Sequence, residues 1–144
     1  MYSTLLWATD GSDDAELALD EARRLLSPGG TLIVFHCDQR YVGGRAGGLP
    51  VVADEDDRRA RIKQTVAALD AEGIDARLVL DVTHHAPARA IVEAADAESA
   101  EAIVCGCRGL GAIQGALLGS VSRELLHHAH VPVVVVPPHV AAHA

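Results

Sequence analysis

The chain has 144 residues, enough for one domain over 1–144 with a buried core. Hydrophobic residues make up 49% and charged residues 22%, a globular balance, and aromatics at 3% leave the core to Ala, Val, Leu and Ile. The net charge of −8, from 12 basic against 20 acidic residues, excludes the basic footprint that nucleic acid or an anionic membrane surface requires.

Strand and helix patterns alternate along the chain. Thr4 to Thr9 reads as a buried strand, and Asp10-Gly11-Ser12 is a turn with helix N-cap residues. Ala15, Ala18, Ala22 and Leu25 or Leu26 recur at helical spacing, which predicts a first helix to about Leu26, stopped by Ser27-Pro28-Gly29-Gly30. Thr31 to Cys37 is rich in β-formers. Asp38 to Ala53 has no period and many Gly and Pro residues, so a long loop is expected there. Ile62, Val66 and Leu69 mark a second helix over Asp54 to Glu72. Arg77 to Val82 alternates into a third strand. Pro87 to Glu98 is a third helix with Pro near its first position. Ala102 to Cys105 is the fourth strand, Ser120 to His130 the fourth helix, and Val133 to Val136 the fifth strand, bounded by prolines. This βαβ alternation predicts an α/β domain whose parallel sheet carries helices on both faces. Such sheets take ligands beyond the strand C-termini, where the strand order reverses.

The most informative segment follows the fourth strand. Gly106-Cys107-Arg108-Gly109, nine residues, then Gly119-Ser120 form the pattern G-x2-G-x9-G-[ST]. Glycines let a backbone approach an oxyanion and adopt positive φ. Successive N–H groups can form a phosphate nest, and the following helix adds open donors and the positive end of its dipole. The common alternatives fail. A Walker loop needs a Lys beside its last Gly, and the only Lys, Lys63, is remote. Gly109-Leu110-Gly111 follows the fourth strand and has Gln114 where a dinucleotide fingerprint needs Gly or Ala.

Other polar groups have ordinary readings. Taken alone, Asp10-Gly11-Ser12 is a helix cap. Cys37, Cys105 and Cys107 form no disulfide framework, and one Cys-x-Cys lacks the spacing of a zinc site, so no metal is expected. His127, His128 and His130 suit a helix C-terminus. His84 and His85 read as loop residues. Asp54-Glu55-Asp56-Asp57 reads as a solvated helix start. There is no secretory n-region and h-region and no apolar run of about 18 residues, which leads us to expect a cytoplasmic protein.

The Asp10-Gly11-Ser12 turn, the glycine signature and Gly119-Ser120-Val121-Ser122 together resemble the universal stress protein family, from Leu5 to Val136. The resemblance implies a Rossmann-like sheet of order 3-2-1-4-5 and a homodimer paired through Val133, Val134, Val135 and Val136. It also implies ATP as ligand, with AMP or cyclic AMP as alternatives, and Mg2+ held mainly by the phosphates. Adenine falls near Thr9, Asp10 and the backbone of Cys37. Ribose and phosphates fall against Cys105, Gly106, Arg108, Gly109, Gly119, Ser120, Val121 and Ser122. Cys107, His84-His85 and Glu101 depart from the usual family pattern, and His85 is the change that could crowd the ligand rim. The function so implied is a regulatory module of the stress response whose contacts with a protein partner depend on nucleotide. Phosphoryl transfer needs a positioned nucleophile and charge neutralisation, and the signature offers neither an acidic pair nor a Lys. A weak ATP-hydrolysing enzyme and a dimeric interaction protein that binds no nucleotide stay open as alternatives.

Overall fold

The computed structural model describes residues 1–37, 51–81, 86–107 and 118–138, with backbone only for 51–54. Nine elements follow in order: β1 (Tyr2–Ala8), α1 (Asp13–Leu25), β2 (Leu26–Cys37), α2 (Val51–Ala71), β3 (Asp75–Asp81), α3 (Pro87–Ala97), β4 (Ala102–Gly106), α4 (Ser120–His128) and β5 (Val133–Val136). The five strands form one sheet of order β3-β2-β1-β4-β5. Every pairing is parallel.

Alternation along the central strands sends side chains to two cores. On one face Leu5, Trp7, Leu32, Val34, Ala102 and Val104 pack against Ala18, Leu19 and Ala22 of α1 and Ile62 and Leu69 of α2. On the other face Leu6, Ile33, Phe35, Ile103 and Cys105 pack against Ala90, Ile91 and Ala95 of α3 and Leu125 of α4. Each large aliphatic side chain buried this way stabilises the fold by roughly 1.5–3 kcal/mol. The alanine-rich inner face of α1 lets that helix lie close enough for Trp7 Nε1 to donate to the Ala15 carbonyl at 2.9 Å.

Ser12 caps α1, its hydroxyl accepting from the Ala15 amide at 3.3 Å. Asp13, Asp14 and Glu16 in the first turn and Arg23 and Arg24 in the last complement the helix dipole. α2 ends at Ala71 and is followed by Gly73, whose φ of 87° suits the left-handed turn after a helix.

Several boundaries differ from those expected. Ser27-Pro28-Gly29-Gly30 ends α1 but lies inside β2, which starts at Leu26 because Leu26 pairs with Tyr2. The register then slips so that Thr4 meets Thr31, and the extra residues are accommodated as an irregularity. β3 starts at Asp75, where the Thr31 hydroxyl donates to the carboxylate at 2.8 Å. α2 begins at Val51, within the stretch expected to be loop; 38–50 lie outside the described residues. α4 stops at His128, and His130 instead contacts Asp96 in the last turn of α3 at 3.0 Å.

Candidate functional site

β1 lies between β2 and β4, so the strand order reverses between β1 and β4. Their register runs Leu5 to Ala102, Leu6 to Ile103 and Trp7 to Val104. Thr9 and Asp10 therefore leave β1 beside Cys105 and Gly106 at the end of β4. On the other flank the Thr9 amide donates to the Phe35 carbonyl at 2.9 Å, which places Cys37 at the same edge of the sheet. Residues far apart in sequence thus converge on one row of strand C-termini.

The helices that follow the two central strands β1 and β4 have unlike N-termini. α1 is capped by Ser12 and has three acidic residues in its first turn. α4 starts at Gly119 with no side-chain cap and no acid in its first turn. The amides of Ser120, Val121 and Ser122 are the first of α4, while the Arg123 amide already bonds the Gly119 carbonyl at 3.1 Å. An anion is therefore favoured at α4 and opposed at α1.

α4 is bolted to the end of β4. The buried Ser122 hydroxyl lies 2.9 Å from the Gly106 carbonyl and 3.1 Å from that of Cys107, and it donates to this pair. The Gly119 amide donates to the Cys107 carbonyl at 2.7 Å. Ser122 thus has a structural partner, whereas Ser120 is exposed at the helix start. Val121 packs against the α3/α4 core.

The glycines have different physical reasons. A Cβ on Gly106 would sit 2.9 Å from the Asp14 carbonyl oxygen, so glycine there admits the start of α1. Gly119 has φ −71° and ψ 166°, an extended cap geometry open to any residue, so the expected positive φ does not apply to it. Gly106 also lacks positive φ, which occurs instead at Gly11, at 78°. Arg108 and Gly109 of the signature lie outside the described residues, as do His84 and His85.

The Asp10-Gly11-Ser12 turn is tightly tied. Asp10 Oδ1 accepts from the Ser12 amide at 2.9 Å, and Thr9 Oγ1 accepts from the Gly11 amide at 3.1 Å. Burial pushes the Cys105 thiol up to about 11; the Ser122 hydroxyl beside it offsets this in part, and Cys107 adds to it. Cys37, Cys105 and Cys107 are all buried. Among the described residues no group of three His, Cys, Asp or Glu is placed to hold a metal.

The acidic run at the start of the second helix is not uniformly solvated. Glu55 is fully buried and lies 2.7 Å from Nε2 of His36, which is 1% exposed. His36 Nδ1 in turn lies 2.9 Å from the Thr9 carbonyl. Arg58 donates twice to the other Glu55 oxygen, at 3.2 and 3.0 Å. Two periods carried the signal for this group. His36 has the same strand parity as Leu32 and Val34, and Glu55 falls on the stripe of Ile62 and Leu69.

A five-stranded parallel sheet of order 3-2-1-4-5 with helices on both faces defines a Rossmann-like α/β protein. The sequence profile described as the Universal stress protein family matches residues 1–137, and the chain belongs to that family. It is similar to a universal stress protein of Thermus aquaticus, 32% identical over 139 residues that cover 94% of this chain and 99% of the relative. It also resembles a Mycobacterium tuberculosis universal stress protein, 33% identical over 93% of this chain but only 45% of that longer relative. A universal stress protein crystallised in complex with cAMP superimposes with a TM-score of 0.60 and 29% identity, over 94% of this chain and 97% of the other. One from Archaeoglobus fulgidus in complex with dAMP gives 0.61 and 26%, with the same coverage. Among the described residues, no helix is long and apolar enough to cross a membrane.

Proposed function

We propose that the protein binds ATP in the cleft between the ends of β1 and β4 and acts as a nucleotide-dependent regulatory module of the cytoplasmic stress response. The observation that carries this reading is the contrast between the two helix starts: α1 is capped and acidic, whereas α4 is uncapped and presents its first amides beside the glycine of β4. Phosphate belongs at α4, with the exposed Ser120 hydroxyl within the same first turn. The nucleoside belongs on the β1 side, against Thr9, Asp10 and the end of β2 at Cys37. The relatives bound to cAMP and dAMP support an adenine ligand. Mg2+ would be held mainly by the phosphates.

Binding rather than turnover is the reading the residues favour. Lys63 is exposed on α2, and the Ser122 hydroxyl already serves two carbonyls. A homodimer through the β5 edge accompanies this proposal. Among the described residues β5 pairs only with β4, and an open edge there invites a second strand. Calorimetry should give micromolar ATP binding, about −8 kcal/mol, without phosphate release over many turnovers. An absence of binding at millimolar ATP overturns the reading. Sedimentation velocity at tens of micromolar protein tests the dimer, and a monomer there removes it.

A further inference from the structure

The buried polar chain on the α1/α2 side of the sheet leaves the nucleoside turn at one residue and returns to it at another. It starts at the Thr9 carbonyl, which accepts from His36 Nδ1 at 2.9 Å. His36 Nε2 faces Glu55 Oε1 at 2.7 Å, and Glu55 Oε2 takes both Arg58 contacts. The stem of Arg58 then covers Gly11: a Cβ placed there would lie 3.1 Å from Arg58 Cβ and Cγ. One helical turn further along α2, Arg61 donates from Nη1 to the Gly11 carbonyl at 2.9 Å and from Nη2 to Asp13 at 3.1 Å.

Packing alone does not explain this choice of residues. His36 shares its face with Leu32 and Val34, where an aliphatic residue would fill space without desolvating polar groups. Both imidazole nitrogens meet oxygen acceptors, so the two contacts together require two shared protons. A hydrogen-bonded buried network fixes orientation, because each member has few productive geometries. The orientation fixed here is that of the Thr9 peptide, at the point where β1 leaves the sheet ladder for the turn.

We propose that His36 is a positioning residue for the nucleoside side of the cleft: held by Glu55 and Arg58, it donates from Nδ1 to the Thr9 carbonyl and so sets the Thr9–Ser12 turn against which the base and ribose rest. This inference rests on the nucleotide reading above.

The test compares His36→Asn, His36→Gln and His36→Phe in the full chain. An Asn amide can stand in for Nδ1 and keep the Thr9 contact. A Gln amide stands in for Nε2 and keeps the Glu55 contact. Phe keeps neither. Two quantities are measured: hydrogen exchange of the Gly11 and Ser12 amides without ligand, and ATP affinity by calorimetry. We expect exchange at both amides to quicken about tenfold, and ATP to bind about tenfold more weakly, in the Gln and Phe variants, with the Asn variant close to wild type. Unfolding midpoints are recorded alongside. A purely structural role makes affinity follow the midpoints, and an Asn variant as impaired as the Gln variant overturns the proposal. If the Phe variant fails to fold, the Asn and Gln pair still decides. Wild-type protein that binds no ATP overturns the reading of the cleft; the exchange ordering, taken without ligand, shows separately whether His36 holds the turn.

Discussion

The Ser122 hydroxyl sits 2.9 Å from the carbonyl of Gly106, so the first turn of α4 is fastened to the last residue of β4. Ser120, two residues earlier, is exposed at the helix start. The two serines should therefore separate stability from binding. Ser122→Ala takes this donor from the Gly106 carbonyl, while the Cys107 carbonyl keeps the Gly119 amide, and should cost about 1 kcal/mol in urea unfolding. Ser120→Ala should leave stability within about 0.5 kcal/mol, yet weaken ATP more than adenosine. Equal effects of the two variants on both measurements would contradict this division.

Gly119 occupies the cap of α4 in a conformation that suits a capping side chain. Gly119→Asp should supply the missing cap and raise stability by a few tenths of a kcal/mol or more, seen as an unchanged or higher midpoint. The same carboxylate would occupy the amides that phosphate needs and repel its charge. Calorimetry should show ATP binding lost while circular dichroism shows the fold intact. A variant that binds ATP normally would place the phosphates elsewhere.

Glu55 is the buried partner of both His36 and Arg58. Glu55→Ala should destabilise the protein by about 3 kcal/mol, because removing one member of a buried ionic network strands the others. The figure stays at the lower end because Arg58, 17% exposed, can turn toward water. Asp57→Ala, in the exposed part of the same run, should change stability by no more than about 0.5 kcal/mol. Comparable losses from both would mean that Glu55 is no more committed than its neighbours.

Burial raises the Cys105 thiol from 9.0 to about 11. Its folded-state value lies above the unfolded one, so the stability it contributes is complete below about pH 9 and declines as pH rises through about 11. Folded protein at pH 8 should resist alkylation at Cys105 by iodoacetamide and react there once unfolded in urea, read by peptide mass spectrometry. Rapid labelling of Cys105 in the folded state would show that the end of β4 is open.

Much of this architecture is legible in the chain. Leu5 to Trp7, Ile33 to Phe35 and Ala102 to Val104 are short apolar runs between turn signals, and they form the centre of the sheet. The strand order came from family resemblance, since no local pattern tells which strands neighbour one another. Local rules failed where a distant partner decided the outcome. Leu26 to Gly30 carries turn chemistry but is drawn into β2 by Tyr2. Glu55 looks like one of four solvated acids, and only the three-dimensional approach of His36 makes it different. Ser122 reads as a free hydroxyl until α4 is placed on β4. The part of the signature that includes Arg108 and Gly109 lies outside the described residues, so its share of the cleft rests on sequence alone.

The reversal of strand order also sets when the cleft can exist. β1 is made before β2 and can pair with it soon afterwards, but its other neighbour is β4, with Leu5 against Ala102. The half-sheet β3-β2-β1 can therefore form while the chain is still being made, leaving one side of β1 uncovered until β4 has emerged. Only then do β4 and α4 supply the strand end and the uncapped amides. A nucleotide that needs both sides of the cleft would bind only molecules in which β4 and α4 have docked beside β1, so its occupancy would report that docking.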